Sequence, residues 1–235
     1  MYTIKKKILH SEVDNNHKLK ILPLINIIQD IEGEHIDSLK DFSNYMFNNN
    51  IGIFLSYRQI NIIDLPKLNN EIKLVTYPYE TNSYFGLRNT IIYKNEKPII
   101  TSYAIGAFTN LIKIKLDRIP QEITNTIPHS SKYDMDYYPR KINYDKNNLN
   151  FVSTKIVSKT HIDSYNHLNN AFYISFTYDL LPDDYKFNII RAEYKRPNKI
   201  HNELKIFNQK TNNSIIYIIK TKDDEESCII EYLNK

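Results

Sequence analysis

The chain has 235 residues and a formal net charge of +4, with 41% hydrophobic and 25% charged residues. This composition is typical of a globular protein with one large domain or two small ones. Only four glycines are present, and no G-x-G-x-x-G or G-x-x-x-x-G-K-[ST] pattern occurs, which argues against a nucleotide-binding loop. The single cysteine, Cys228, excludes an internal disulfide and a cysteine-rich zinc site.

Targeting signals and charged tracts are not evident in the sequence. The N-terminal residues 1–10 are basic, but no apolar stretch with a small-residue cleavage site follows, and no apolar run approaches the ~20 residues that cross a bilayer. We therefore expect a cytoplasmic protein without a membrane span. Neither a long Lys/Arg run nor a recognition motif is present, so we expect no nucleic-acid partner. The scattered His, Asp and Glu residues predict no metal.

The chain contains a degenerate internal repeat. Asp14 aligns with Asp163, and after each aspartate a polar turn leads into an apolar-rich stretch with helical spacing. We predict long helices over Pro23–Asp37 and Asn169–Leu181. A second match, of residues 66–74 with 198–206, follows each helix. The offset between the copies falls from 149 to 132, so the first copy has 17 extra residues, which predict another helix within 37–50.

Alternating strands follow each matched turn, with hairpin tips at Asn95-Glu96 and Asp223-Asp224. The predicted strands are Glu71–Tyr79, Tyr84–Tyr93, Lys97–Phe108, Glu203–Asn208, Ser214–Thr221 and Ser227–Leu233. Residues 121–148 follow Pro120, are polar, contain Pro128 and Pro139 and lack apolar periodicity, which is typical of a linker. We place the domains at 1–135 and 149–235, joined by a linker over 136–148.

A long central helix wrapped by a curved antiparallel sheet is the hotdog fold. The repeat therefore predicts an α+β protein with two tandem hotdog domains that form one pseudo-symmetric unit.

Residues 163–170, Asp-Ser-Tyr-Asn-His-Leu-Asn-Asn, resemble the D-x-N-x-H-x-N-N motif of bacterial-type acyl-ACP thioesterases, which are related to the plant enzymes. Further segments resemble the family in the same order along the chain: Gln29–His35, Leu55–Arg58, Leu87-Arg88 and Ala192–Arg196. The resemblance implies hydrolysis of fatty acyl-ACP in fatty acid biosynthesis, without a cofactor. It also implies an acyl-chain channel in the first domain and the catalytic motif in the second.

The resemblance places the catalytic side chains at Asp163, Tyr165 and His167. His167 suits proton transfer near neutral pH. Asp163 can orient it, hold the water or simply stabilise the turn, and His167 can instead be a packed histidine. Tyr165 can donate its phenol to the carbonyl or form a wall of the channel. A helix N-terminus offers unpaired N–H groups for an oxyanion, so the backbone amides of Leu168 and Asn169 are the expected donors, with Asn170 as a substrate or capping residue.

The partner that the resemblance implies is the acidic acyl carrier protein, beside the fatty acyl substrate. Candidate docking residues are Arg88, Lys113, Lys115, Arg118 and Lys195. Whether the protein forms a homodimer is left open.

The sequence departs from the family pattern at two places. Tyr165 stands where the family has Asn, and Pro197-Asn198 stand where it often has Glu-Cys or Glu-Ala. A non-catalytic acyl-binding or carrier-binding protein of the same fold and an acyl-CoA thioesterase are therefore the alternative functions. Glu193 does not replace the missing carboxylate, because it lies ~13 Å along the strand from position 197. We expect it to face solvent or form an ion pair.

Three further residues could be mistaken for catalytic groups. His17 and His35 are expected to be structural or to line the channel. Cys228 is expected to be a buried, inert thiol.

Overall fold

The computed structural model describes all 235 residues, which divide into two compact units. The first unit consists of Met1–Ser56 and Ile60–Tyr137, and the second consists of Tyr57–Gln59 and Tyr138–Lys235. Residues 138–148, which the sequence assigns to the linker, thus belong to the second unit.

The first unit contains one long helix, two shorter helices and an antiparallel sheet. The helices are α1 (Ile21–Ser38), α2 (Lys40–Asn48) and α3 (Gln121–Thr124). The strands are β1 (Tyr2–Lys7), β2 (Ile51–Ile62), β3 (Glu71–Thr81), β4 (Phe85–Lys94), β5 (Lys97–Asn110) and the two-residue β6 (Lys115–Leu116). A 3-10 turn, His10–Glu12, precedes α1.

The second unit repeats this plan in a shorter form. Its single helix is α4 (Asn170–Tyr178), preceded by the 3-10 turn Lys159–His161. Its strands are β7 (Asn150–Ile156), β8 (Ile189–Tyr194), β9 (Glu203–Lys210), β10 (Ser214–Thr221) and β11 (Glu226–Leu233).

The two sheets have the same strand order. It is β1-β3-β4-β5-β2 in the first unit and β7-β9-β10-β11-β8 in the second. Each strand therefore has a counterpart in the other unit, and the predicted pair of α+β hotdog domains is confirmed. The extra residues of the first copy form the second half of α1 together with α2. Consequently α1 has 18 residues, whereas α4 has nine and ends three residues before the predicted Leu181.

Each helix packs on one face of its sheet. In the first unit the hydroxyl of Thr90 in β4 donates to the Glu32 carboxylate of α1 at 2.9 Å. In the second, the Tyr232 hydroxyl of β11 donates to the Ile174 carbonyl of α4 at 2.8 Å. The helices bury apolar faces that include Leu24, Ile28 and Ile174, which are fully excluded from solvent. These contacts fix the helix N-termini relative to the sheets.

The opposite face of each sheet is covered by the segment 133–149, here named the strap. Ile142, Tyr144 and Leu149 of the strap pack on Ile216 and Ile218 of β10. Residues 215–219 of β10 are therefore all buried, because alternate side chains face α4 and the strap. This is why the strand has no alternation of apolar and polar residues.

Four buried strand side chains hold the strap by its backbone N–H groups. Each accepts one N–H: Asn89 from Tyr133 at 3.1 Å, Gln59 from Tyr138 at 2.9 Å, Glu193 from Ile142 at 3.1 Å and Gln209 from Asp145 at 3.0 Å. Each of these hydrogen bonds therefore gives a partner both to a backbone N–H of the strap and to a buried side-chain oxygen of a strand.

No helix of the structure is long and apolar enough to cross a bilayer.

Candidate active site

The turn before α4 is organised by Asp163. Its Oδ1 accepts the backbone N–H of Tyr165 at 2.9 Å and of His167 at 3.1 Å. The backbone N–H of Asp163 donates to the His167 carbonyl at 2.8 Å, and Asn166 closes the turn with a left-handed φ of 60°. Asp163 therefore stabilises the turn, which is one of the roles expected for it. Its Oδ2 accepts no hydrogen bond from the protein and remains available to a water molecule.

The first unit contains the same backbone turn. Asp14 Oδ1 accepts the N–H of Asn16 at 2.8 Å and of Lys18 at 2.9 Å, and His17 has a φ of 60°. His17 is thus the counterpart of Asn166, and Lys18 is the counterpart of His167.

The amides at the start of α4 differ from the expectation. The N–H of Leu168 donates to the Asn198 carbonyl at 2.7 Å, and the N–H of Asn169 donates to the His161 carbonyl at 2.9 Å. Both expected oxyanion donors are therefore already used, and the structure contradicts that assignment. The next N–H, that of Asn170, has no acceptor in the protein. It is the amide that a bound oxyanion can use.

Asn169, not Asn170, caps the helix. The Asn169 Oδ1 accepts the N–H of Ala171 at 2.9 Å, which is the usual arrangement of an N-cap residue. The side chain of Asn170 has no partner in the protein, and its carbonyl accepts the Tyr194 hydroxyl at 3.2 Å. The side-chain amide of Asn170 is therefore free to bind a ligand.

His167 is half-buried at the helix N-terminus, and Tyr165 beside it is 45% exposed. Burial lowers the pKa of His167, the Lys199 charge lowers it further, and the nearby Asp163 opposes both effects. A lowered pKa keeps the imidazole neutral near pH 7, which is the state that a general base requires.

A second histidine, His161, lies in the same turn and was missed by the sequence reasoning. Its Nδ1 accepts the backbone N–H of Ser158 at 3.1 Å, and its ring packs on Phe172 and Phe176 with centroid distances of 4.6 and 4.9 Å. Burial and Lys155 lower its pKa. In the alignment of the two copies, His161 corresponds to Glu12, whose carboxylate accepts the N–H of Leu9 in the same way. This correspondence was the signal in the sequence that could have identified His161.

Asn198 is also missed as a site residue, although the sequence marks it as a departure. Its side chain is buried and donates to the Tyr173 hydroxyl of α4 at 2.7 Å. Its carbonyl accepts the Leu168 N–H, so one residue holds both the turn and the first helical turn. In the first unit the counterparts are Pro66 and Leu24, which keep only the backbone bond, from Leu19 to Pro66 at 2.9 Å.

The departures at the strand end do not supply a carboxylate. Pro197 is exposed. Glu193 is only 8% exposed and holds the strap at Ile142, while Lys195 lies 3.7 Å from its other oxygen. The expected ion pair is therefore present, but Glu193 does not face solvent. Cys228 is fully buried with a raised pKa caused by that burial, as expected for an inert thiol.

Two of the five expected carrier-docking residues have internal partners. The Arg88 guanidinium donates to the Glu32 carbonyl of α1 at 2.8 Å and contacts His35 Nδ1 at 3.0 Å. His35 is buried, stacks on the Tyr2 ring, and has a pKa lowered to about 4 by burial, Arg88 and the N-terminal charge. The structure therefore contradicts the docking role of Arg88, which supports the helix.

Lys195 is the second residue of that set with internal partners. Its ammonium lies 2.6 Å from Glu226 and 3.7 Å from Glu193, so its charge is compensated within the second unit. Lys113, Lys115 and Arg118 are exposed and lie together in the segment after β5. They remain predicted docking residues.

Comparisons with known proteins agree with this fold. A family model, "Acyl-ACP thioesterase N-terminal domain", matches residues 1–127. An acyl-ACP thioesterase from Bacteroides thetaiotaomicron has the same fold, with a TM-score of 0.88, 20% identity, and coverage of 98% of this chain and 96% of that one. A 12:0-ACP thioesterase from Umbellularia californica aligns with a TM-score of 0.87, 13% identity, and coverage of 99% and 96%. No curated protein is significantly similar in sequence. Because the family model spans more than half of the chain, this protein belongs to the acyl-ACP thioesterases, a family of thioester hydrolases.

Proposed function

We propose that this thioesterase hydrolyses fatty acyl-ACP at the turn Asp163–Asn170. The observation that supports this most is the pairing of His167, a histidine kept neutral near pH 7, with the unsatisfied N–H of Asn170 at the N-terminus of α4. The reaction needs a base for water and a donor for the carbonyl oxygen, and the turn offers both within four residues.

The proposed reaction begins when His167 takes a proton from a water molecule that attacks the thioester carbon. The carbonyl oxygen becomes negative and is stabilised by the Asn170 N–H and the positive end of the helix dipole. When the C–S bond breaks, the imidazolium returns its proton to the leaving thiolate. The products are a free fatty acid and the carrier thiol, and no cofactor takes part.

Asp163 has two tasks in this scheme. Its Oδ1 fixes the backbone of His167, and its negative charge stabilises the imidazolium that forms during the reaction. Its Oδ2 accepts a hydrogen bond from the attacking water. In this scheme Tyr165 and the side-chain amide of Asn170, which flank His167 in the sequence, contact the acyl carbonyl.

We place part of the carrier-docking surface beside this turn, at Lys155, Lys159 and Lys199. None of these lysines has a salt bridge, and the charges of Lys155 and Lys199 reach His161 and His167 strongly enough to lower their pKa values. In the first unit the counterpart of Lys155 is Lys6, which pairs with Glu12 at 2.8 Å. The second unit has His161 in place of that glutamate, so its lysine stays uncompensated and can attract an acidic carrier.

The activity is assigned to cytoplasmic fatty acid biosynthesis, where acyl-ACP is available. The test is hydrolysis of matched acyl-ACP and acyl-CoA of several chain lengths by the purified protein, followed as thiol release. Turnover of acyl-ACP at a higher kcat/KM than acyl-CoA supports the proposal, and the reverse preference identifies an acyl-CoA thioesterase. If no acyl-ACP is turned over while the Tyr165→Asn/Pro197→Glu variant gains turnover, the protein is a binder with a decayed site.

The carrier surface has its own test. Because exposed ion pairs are screened by salt, KM for acyl-ACP should rise between low and high ionic strength. Lys199→Gln should weaken that dependence, whereas Lys67→Gln, at the equivalent position in the first unit, should not. A KM that does not respond to salt argues against this docking surface.

A further inference from the structure

Exposed apolar side chains are concentrated at the tip that follows β5. Ile112 is 75% exposed, Ile114 49% and Leu116 51%. At the end of α2, Phe47 is 84% exposed, and the adjoining Asn50 carbonyl accepts the N–H of Leu111 at 2.8 Å. We name this set of residues, 111–116 together with Phe47, the tip surface. Large exposed apolar patches on a protein surface often mark interaction sites.

The tip is held rigidly by Asn110. Its Oδ1 accepts the backbone N–H of Ile112 at 3.1 Å and of Lys113 at 3.0 Å, and its carbonyl accepts the N–H of Ile114 at 2.8 Å. The Asn110 side-chain amide also donates to Asp117 at 2.9 Å. The exposed side chains are therefore presented by an organised turn rather than by a loose loop.

Ile114 has a backbone conformation that is unfavourable for its residue type. Its φ is 51°, and a β-branched residue in the left-handed region is a strained outlier. Nine non-glycine residues of the chain have positive φ; eight of them are polar, and Ile114 is the only apolar one. An exposed isoleucine in this conformation does not stabilise the fold. Its presence is explained more simply by a role in binding another molecule.

Basic residues alternate with the apolar ones. Lys113 and Lys115 lie between Ile112, Ile114 and Leu116, and both lysines are exposed without a salt bridge, as is the neighbouring Arg118. Asp117 is the one acidic residue in 110–118. Its carboxylate is occupied by the Asn110 amide and the Arg118 N–H, and these bonds, together with Lys113, lower its pKa. The tip surface is therefore both apolar and positively charged.

We propose that the tip surface binds the interface of an anionic lipid bilayer. Lys113 and Lys115 are also predicted carrier-docking residues, but the exposed Ile112, Ile114 and Phe47 favour a bilayer, because peripheral membrane segments combine basic residues with exposed apolar side chains. The lysines meet the lipid phosphates, and Ile112, Ile114 and Phe47 insert among the acyl chains. The contact is weak and reversible, because the apolar area is small. It would place the enzyme where its proposed product, a fatty acid, partitions after release.

The experiment is co-sedimentation of the full-length protein with phosphatidylglycerol/phosphatidylcholine vesicles and with phosphatidylcholine vesicles. The protein should pellet with the anionic vesicles and detach at high salt. The Ile112→Ser/Ile114→Asn variant should lose at least ten-fold in binding. The matched control is Ile63→Ser, since Ile63 is 70% exposed but lies outside the tip.

Ile114→Asn alone separates function from folding. Asparagine tolerates the left-handed conformation, so this variant should raise the thermal midpoint while it weakens vesicle binding. Turnover of acyl-ACP in solution should be unchanged in these variants. The proposal is overturned if the wild type does not bind anionic vesicles, or if the double variant binds as the wild type does. A raised KM for acyl-ACP with unchanged vesicle binding would show instead that the tip docks the carrier.

Discussion

The two turns that precede α1 and α4 have the same backbone and different side chains. In each turn, an aspartate Oδ1 accepts two N–H groups and a polar residue has a φ of 60°. In each, a leucine N–H after the turn also donates to a carbonyl of a later loop, which lies between β2 and β3 in the first unit and between β8 and β9 in the second. Lys18 stands in the first turn where His167 stands in the second.

This difference shows that the shared backbone serves the fold, since it persists in the first unit, where Lys18 stands in place of His167. In the function proposed above, the side chains added in the second unit carry the chemistry or position it: His161, His167 and the Asn198–Tyr173 pair. Each of these additions has a counterpart in the first unit, which provides a matched control on the same scaffold.

The largest expected effect is that of His167→Ala. Removal of a general base should lower kcat by about 10²–10⁴-fold while the thermal midpoint stays near that of the wild type. Lys18→Ala, at the equivalent position, should leave kcat unchanged. Steady-state kinetics with acyl-ACP measure both. Equal turnover of wild type and His167→Ala would place the catalytic centre elsewhere.

Replacement of the two aspartates sharpens the comparison. Asparagine keeps the oxygen that accepts the backbone N–H groups but removes the charge, so Asp163→Asn and Asp14→Asn should both fold with thermal midpoints near wild type. Only Asp163→Asn should lose turnover, by about 10²-fold, because it no longer stabilises the imidazolium. If the two variants have similar kcat values, Asp163 only stabilises the turn and takes no part in the reaction.

The Asn198–Tyr173 pair is expected to have an intermediate effect. Asn198→Ala leaves the buried Tyr173 hydroxyl without its closest partner and should lower the free energy of unfolding by about 1–3 kcal/mol. Because the pair positions the turn and α4, kcat should fall by about ten-fold with little change in KM. Tyr173→Phe should add little to Asn198→Ala, and denaturant unfolding of the double-mutant cycle measures that coupling. Additive effects would show that the two side chains act independently.

The smallest effect is a shift in the pH profile. The pKa of His167 is lowered from its usual 6.5, and the imidazole must be neutral to act as a base. We therefore expect kcat/KM to fall only when the pH drops below 6.5. Lys199→Gln removes a charge that lowers this pKa and should move the acid limb to higher pH, by less than about one unit. Lys67→Gln should leave the limb in place. An acid limb that Lys199→Gln does not move would argue against His167 as its cause.

Much of the fold could be predicted because the repeat and the hairpins leave strong local signals. Asn95, Glu96 and Asp224 have positive φ values at the expected tips, and the strand over Ser214–Thr221 matches its predicted limits. The prediction was weaker for the end of α4, since the apolar residues after Tyr178 continue the pattern beyond the helix.

Atomic detail at the site could not be predicted in the same way. The sequence indicates an oxyanion donor at the helix start, but only the structure shows that Asn198 and His161 carbonyls occupy the first two amides and leave Asn170. Arg88 looks like a surface charge in the sequence, yet its carbonyl partner Glu32 and its histidine partner His35 lie in α1, 56 and 53 residues away. Partners this distant leave no local pattern.

The strap has a consequence for how the sequence of this protein can change. Asn89, Gln59, Glu193 and Gln209 accept main-chain N–H groups of the strap, so these four hydrogen bonds exclude proline at the bonded positions but do not depend on the side chains there. Selection for these hydrogen bonds therefore acts on the four acceptors in the strands, whereas the strap itself is constrained at its apolar contacts, such as that of Ile142 with Ile216 and Ile218. We expect related chains to keep the four acceptors and the apolar contact residues of the strap, while the sequence of the rest of the strap varies widely.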